Sequence, residues 1–253
     1  MTRSKKTPTL APVTVSESDG VRFLHLGTIW VQGAMRVRKP YDLELEYIQR
    51  MMAWMLLRPQ ACVTDGHAVQ LGLGAGAITK YCHRKLQMRT TAVELNPEVI
   101  AVCRSMFRLP PDDDTLQVLQ QDAARYAADP VNAGGADVLC VDLYDHEAAS
   151  PVLDDEDFYA ACHQLLAPGG VMSVNLFGRD ASYDRSVERM ARAFGREAMW
   201  ALKPTREGNT VVLATKGLAP AERSELAARA ENIETRFSLP AAKWLRMIKH
   251  LAA

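Results

Sequence analysis

An α/β fold built on a mostly parallel sheet is predicted by three features of this chain. Strand-type and helix-type segments alternate from residue 68 onward, a pattern that places helices on both faces of the sheet. The first strand runs into the glycine-rich turn Gly72-Leu73-Gly74-Ala75-Gly76 before a helix. Residues 136–142 are strongly apolar, with Val138-Leu139-Cys140-Val141 at their centre, as in a central strand buried on both faces.

Ahead of that core, residues 21–26 and 28–32 are short β-type runs separated by Gly27 and read as a hairpin. Residues 42–57 read as a helix. Leu43, Tyr47, Ile48, Met51 and Met55 recur at helical spacing, and Pro59 ends the run. Met51, Met52 and Met55 are expected to fill core gaps rather than form a ligand surface. Further strands are expected at 68–71, 90–94, 116–119, 136–142, 171–176 and 210–214, with helices at 78–86, 97–107, 123–128, 155–166 and 183–194. The helix at 155–166 stops before Pro168-Gly169-Gly170, a turn signal. Residues 219–253 are helical in pattern and broken near Pro240, suited to covering one end of the sheet or meeting a partner subunit. The expected organisation is a disordered tail (1–12), a β-strand region with a helix leading into the core (13–58), a nucleoside-binding catalytic domain (59–218) and a C-terminal helical segment (219–253).

Composition narrows the function. The 30 basic and 30 acidic residues among 253 cancel, which argues against a broad nucleic-acid-binding surface. No apolar run approaches the roughly 20 residues needed to cross a bilayer, and the polar, basic start from Met1 to Thr7 is not followed by an apolar signal core. A cytoplasmic protein without a membrane or nucleic-acid partner is expected. The five cysteines show no CxxC spacing, so they read as reduced, mostly buried thiols and no metal site is expected.

The glycine turn is the first candidate site. Glycine allows a tight turn and lets a ligand approach the backbone where a Cβ would clash, and the helix start offers free N–H donors. A ligand-free strand–helix turn is the alternative. Glu94 ends the next strand, about 20 residues on, where an acid can take both ribose hydroxyls of a nucleoside. Asp122 follows the third strand and can accept from an adenine amino group, since an ionised carboxylate only accepts; it is equally placed to cap the next helix. Glu94, Asp122 and Asp142 thus stand at three successive strand ends, the rim where open α/β sheets bind ligands. The turn lacks the G-x-G-x-x-G of dinucleotide sites, so a single nucleoside is expected over a pyrophosphate-linked pair.

These segments resemble the core of spermidine synthases, the polyamine aminopropyltransferases, and their bacterial relatives. The resemblance spans about residues 32–178 and rests on the glycine turn, Val93-Glu94-Leu95-Asn96-Pro97, Gln121-Asp122-Ala123, and the run from Asp137 through Asp142-Leu143-Tyr144-Asp145. Phe158-Tyr159 and Leu166-Ala167-Pro168-Gly169-Gly170 fit as well. It implies a Rossmann-like S-adenosylmethionine-dependent methyltransferase fold with a small N-terminal β-strand region. The implied reaction moves an aminopropyl group from decarboxylated S-adenosylmethionine to an amine, without a metal. The implied donor site is Gln32, Gly72, Gly74, Gly76, Glu94, Asp122, Ala123 and Asp142. Asp142 would be the base and Asp145 would hold the cationic amine, with Tyr47 and Arg206 also on the acceptor. A homodimer is implied in the same way.

Two acids suit that chemistry. An alkyl ammonium, with a pKa near 10 by analogy with lysine, arrives protonated and must lose a proton before its nitrogen attacks. Asp142 and Asp145 can instead be the ordinary aspartates of a turn. The sequence departs from the family at Ala75, where an acid is common, at Arg206, where a tyrosine is usual, and at Ile48, where a polar residue follows the helix tyrosine. Ala75 and Arg206 suit the alternative of a methyltransferase using the intact donor, which carries a carboxylate. A non-catalytic nucleoside-binding or assembly module is the third reading. Trp30 reads as a pocket-mouth or packing residue, and His146 as a loop residue or proton carrier.

Overall fold

The computed structural model describes residues 10–143, 155–177 and 181–252. Asp19 and Gly20 both take positive φ, 52° and 74°, the geometry of a two-residue hairpin turn. They join β1 (Val13–Ser18) to β2 (Val21–Leu26), and β3 (Gly33–Arg36) completes a three-stranded antiparallel sheet. The hairpin expected around Gly27 is therefore corrected: the Asp-Gly pair makes the tight turn, and residues 28–32 form a bent connection, not a strand. That connection is held by Gln32 N–H donating to Leu24 O (2.8 Å) and Gly27 N–H donating to Pro12 O (2.9 Å).

The segment read as one long helix is shorter and tighter. α1 (Glu46–Met51) passes directly into a 3-10 turn, Met52–Leu56. Met51, Met52 and Met55 are fully buried, in the packing role expected of them.

The main body alternates strands and helices as the pattern required: β4 (His67–Leu71), α2 (Ala77–Arg84), β5 (Arg89–Glu94), α3 (Pro97–Met106), β6 (Leu116–Gln120), α4 (Ala123–Ala128) and β7 (Ala136–Val141). After it come α5 (Glu156–Leu165), β8 (Leu166–Phe177), α6 (Ala181–Phe194), β9 (Met199–Leu202) and β10 (Asn209–Thr215). The C-terminal segment is α7 (Arg223–Phe237), α8 (Ala241–Met247) and β11 (Ile248–His250). Strand order is β11-β9-β10-β8-β7-β4-β5-β6. β6, β5, β4, β7 and β8 run parallel, while β10, β9 and β11 add on antiparallel. β7 is central, between β4 and β8, as its unbroken apolar run predicts.

Four strands escaped the sequence pattern: β1 and β3 of the N-terminal sheet, and β9 and β11 of the main one. β9 has four residues and β11 three, at or beside the sheet edge, too short for a clear alternation. The C-terminal segment is thus helical with a terminal edge strand. The Pro168-Gly169-Gly170 turn signal falls inside β8, whose pairing with β7 carries a register shift between Ala136 and Val138.

One sheet face packs on α1, the 3-10 turn, α2, α7 and α8, through residues such as Trp54, Ile78 and Trp244. The opposite face packs on α4, α5 and α6, through Tyr126, Tyr159 and Met190. A smaller cluster fastens the N-terminal sheet over the glycine turn: Leu24 and Met35 meet Leu73 and Ala75, with Val99, Cys103 and Phe107 of the α3 region beneath. This placement brings the β2–β3 connection to the C-terminal ends of the parallel strands, where the chain's direction across the sheet reverses between β4 and β7.

Candidate functional site

The glycine turn is built by what surrounds it. Gly72 has φ +86°, and a Cβ there would lie 2.1 Å from the Asp142 carbonyl oxygen. Gly74 has φ +52° under the Gln32 carbonyl, and Gly76 caps α2 in the left-handed region. The buried Gln70 side chain ties the turn together. Its Nε2 donates to Gly72 O (2.6 Å), and its Oε1 accepts from the Thr79 backbone N–H (2.9 Å).

Glu94 ends β5 beside this turn. Its Oε2 accepts from Leu73 N–H (2.9 Å) and its Oε1 from Asn96 N–H (2.8 Å). A carboxylate offers about four lone-pair sites, so both oxygens retain capacity for ribose hydroxyls. Burial pushes the Glu94 carboxyl above its ordinary value, with these N–H donors pulling the other way.

Asp122 caps α4, its Oδ1 accepting from Arg125 N–H (2.9 Å). The capping reading is therefore observed, and it leaves the second oxygen's acceptor capacity. Ala123 is the half-buried first residue of α4. Strand pairing sets Glu94 opposite Gln120, and Gln121 N–H donates to Glu94 O (3.0 Å). Glu94 and Asp122 are thereby held on neighbouring strand ends.

Asp142 follows β7, its N–H donating to Leu71 O (2.9 Å). Its half-buried carboxylate accepts from Asn175 Nδ2 at Oδ1 (2.9 Å) and from the Tyr47 hydroxyl at Oδ2 (3.3 Å). Burial raises its pKa to about 6, against the lowering effect of the Asn175 and Tyr47 hydrogen bonds. Asn175 Oδ1 in turn accepts from Asn209 Nδ2 (3.2 Å).

Next to this carboxylate opens a cavity of about 480 Å³ between the N-terminal sheet and the ends of β8 and β10. Tyr47, Asn175 and Asn209 line it on the Asp142 side, and Phe23, Ile29, Trp30, Val31, Leu45 and Phe177 supply apolar wall. Gln32 lines it too, and its carbonyl stands over Gly74, so this residue joins the cavity to the glycine turn. Glu207 lines the cavity, while its neighbour Arg206 is exposed and is not among the described lining residues. Ala75 is buried directly against Gly33, where an added Cβ would meet the Ala75 Cβ at 2.6 Å. Asp145 and His146 lie outside the described residues. Among the described residues there is no group of three or more His, Cys, Asp or Glu placed to hold a metal, and no helix long and apolar enough to cross a membrane.

Comparison with known proteins gives this geometry a family. A "Methyltransferase domain" family matches residues 69–174. A polyamine aminopropyltransferase of Neisseria meningitidis serogroup A is 32% identical over 243 residues, covering 94% of this chain and 89% of that protein. The chain belongs to the polyamine aminopropyltransferase family.

The aminopropyltransferase-family fold is shared more widely. A crystal structure of a probable spermidine synthase from Corynebacterium glutamicum superposes with TM-score 0.74 at 18% identity, covering 97% of this chain and 92% of that one. Human methyltransferase-like protein 13, solved in complex with SAH, superposes with TM-score 0.66 at 22% identity, covering 80% and 93%. Fold alone thus spans two transfer chemistries.

Sequence reasoning missed Asn175, Asn209, Phe177 and Glu207 at this family member's site. Asn175 carried a signal: it is a polar residue inside the apolar run Val174-Asn175-Leu176, and it is 1% exposed. A buried amide in a core strand needs a partner, and its partner is Asp142.

Proposed function

We propose that this transferase moves the aminopropyl group of decarboxylated S-adenosylmethionine onto a primary amine, with residues 59–218 as its catalytic domain. The observation that carries the reading is the Asp142 carboxylate, placed between the glycine turn and the cavity and oriented by Tyr47 and Asn175.

Glu94 accepts the ribose hydroxyls and Asp122 the adenine amino group, while the main chain of Gly72, Gly74 and Gly76 admits the donor closely. Asp142 accepts a proton from the acceptor's ammonium. The freed nitrogen lone pair forms a bond to the donor carbon next to sulfur, and the C–S bond electrons leave with the sulfur. The products are the aminopropylated amine and methylthioadenosine, and the proton passes from Asp142 to solvent. Tyr47 and Asn175 keep the carboxylate aimed, so that positioning supplies much of the rate. The reading includes the roles for Asp145 and Arg206, the metal-free reaction, the cytoplasmic location and the homodimer that the family resemblance implies.

Ala75, packed on Gly33, leaves the glycine turn without the acid common in the family. That observation favours, as the second reading, intact S-adenosylmethionine and methyl transfer. Calorimetric titration with the decarboxylated donor, the intact donor and methylthioadenosine separates the two. Tighter binding of the decarboxylated donor supports aminopropyl transfer, and tighter binding of the intact donor supports methylation.

A further inference from the structure

Asn96 stands between the strand-end acid Glu94 and the N-terminal sheet. Its backbone N–H donates to Glu94 Oε1 (2.8 Å), and two features fix the direction of that N–H. Asn96 caps α3 with φ −90° and ψ 108°, and the Pro97 that follows disfavours helical backbone at this position. The side chain then makes two bonds of its own. Its Oδ1 accepts from Glu98 N–H (3.0 Å), and its Nδ2 donates to Ala11 O (3.1 Å). The partners fix which amide atom is which, because a backbone N–H only donates and a carbonyl only accepts. Asn96 is 7% exposed, so these bonds are largely sheltered from water.

Capping alone does not call for an amide. Serine caps a helix as well through its one oxygen, but with that oxygen at the cap nothing is left to reach Ala11. The Ala11 end is itself anchored. Pro12 O accepts from Gly27 N–H (2.9 Å), and Val13 N–H at the start of β1 donates to Glu98 Oε2 (3.2 Å). Val13 and Val15 pack on the cluster that contains Val99 and Cys103 of α3. The amide of Asn96 therefore ties Glu94 to a fixed part of the N-terminal sheet.

We propose, on the reading that Glu94 takes the ribose hydroxyls, that Asn96 is a positioning residue for the donor. Its bond to Ala11 uses the N-terminal sheet to hold the Glu94 carboxylate in the nucleoside-binding orientation. A hydrogen bond to a charged group weakens when its donor shifts, so loosening Asn96 costs nucleoside affinity through Glu94.

The test is calorimetric titration of the full chain with methylthioadenosine. Asn96→Ser keeps an oxygen for the cap and removes the reach to Ala11. Affinity should fall about three- to tenfold, the worth of one hydrogen bond, and the donor KM should rise by a similar factor at nearly unchanged kcat. Asn96→Thr should show the same loss. In a Glu94→Gln background, Asn96→Ser should weaken binding by less than about twofold, since the acid through which it acts is gone. Affinities of Asn96→Ser and Asn96→Thr within about twofold of the wild type overturn the proposal. An equal loss in both backgrounds also overturns it, as the sign of a general effect on the fold. Unchanged affinity in Glu94→Gln overturns the ribose role of Glu94 itself, whereas weak binding by Glu94→Gln beside full binding by Asn96→Ser overturns only the positioning role.

Discussion

The Asn175 side-chain amide donates to Asp142 Oδ1 at 2.9 Å, joining the C-terminal end of β8 to the residue that follows β7. Asn175 is itself held from β10, where Asn209 Nδ2 donates to its Oδ1 (3.2 Å). A carboxylate fixed in this way keeps one orientation without needing a second charge nearby, and the bond favours its ionised form.

Removing that donor is expected to impair catalysis by this carboxylate in two ways. Asn175→Ala should lower kcat/KM at pH 7 by about 10- to 100-fold, the usual worth of a hydrogen bond to a charged group. It should also move the acid limb of the pH–rate profile upward, because a bond favouring the ionised form is gone. A pH–rate profile of the variant measures both effects.

The pKa of about 6 at Asp142 gives a pH dependence with a definite sign. The base works as a carboxylate, so kcat/KM should rise with pH through about 6. Stability runs the other way. The folded-state pKa exceeds the ordinary value of 3.8, so the folded protein binds this proton more tightly than the unfolded chain. Asp142 therefore costs stability progressively between pH 4 and 6, and fully above that window. Asp142→Asn should match the wild type near pH 4 and exceed its stability at pH 8 by about 1–2 kcal/mol, discounted for partial exposure. Urea unfolding at the two pH values measures the difference.

Glu94→Gln replaces one acceptor oxygen with a donor and removes the charge. Both oxygens are committed to Leu73 and Asn96 N–H groups as well as to the proposed ribose contact. Methylthioadenosine affinity should fall by about tenfold or more, measured by calorimetry. Unchanged affinity would remove Glu94 from the site.

Gly72→Ala should destabilise the chain by about 2–4 kcal/mol, from the positive φ and from a Cβ forced onto backbone. That Cβ would sit 2.1 Å from the Asp142 carbonyl oxygen, so surviving protein should also lose activity. Denaturant unfolding, paired with turnover, checks the two consequences.

The parallel core was legible because strand-type and helix-type segments alternate through it and because glycines and acids punctuate the strand ends. Gly72, Glu94, Asp122 and Asp142 are local signals, each at a strand end, and pairing of adjacent strands brings them to one rim. The parts that escaped depend on tertiary context. β11 is a strand because β9 offers it an edge, and β9 is itself only four residues long. Residues 28–32 look like a strand by composition, yet the Asp19-Gly20 turn already sets the hairpin and leaves Trp30 exposed at the cavity mouth. Asn209 reaches Asn175, 34 residues away in sequence, because β10 pairs with β8.

The most direct measurement is the reaction itself. Purified protein is mixed with decarboxylated S-adenosylmethionine and a primary amine, and the products are followed by mass spectrometry. The account requires an amine heavier by one aminopropyl group, formed in step with methylthioadenosine, and loss of both in Asp142→Asn while that variant still binds the donor. Product formation by Asp142→Asn at the wild-type rate, or a methylated amine made from the intact donor and none from the decarboxylated one, would contradict it.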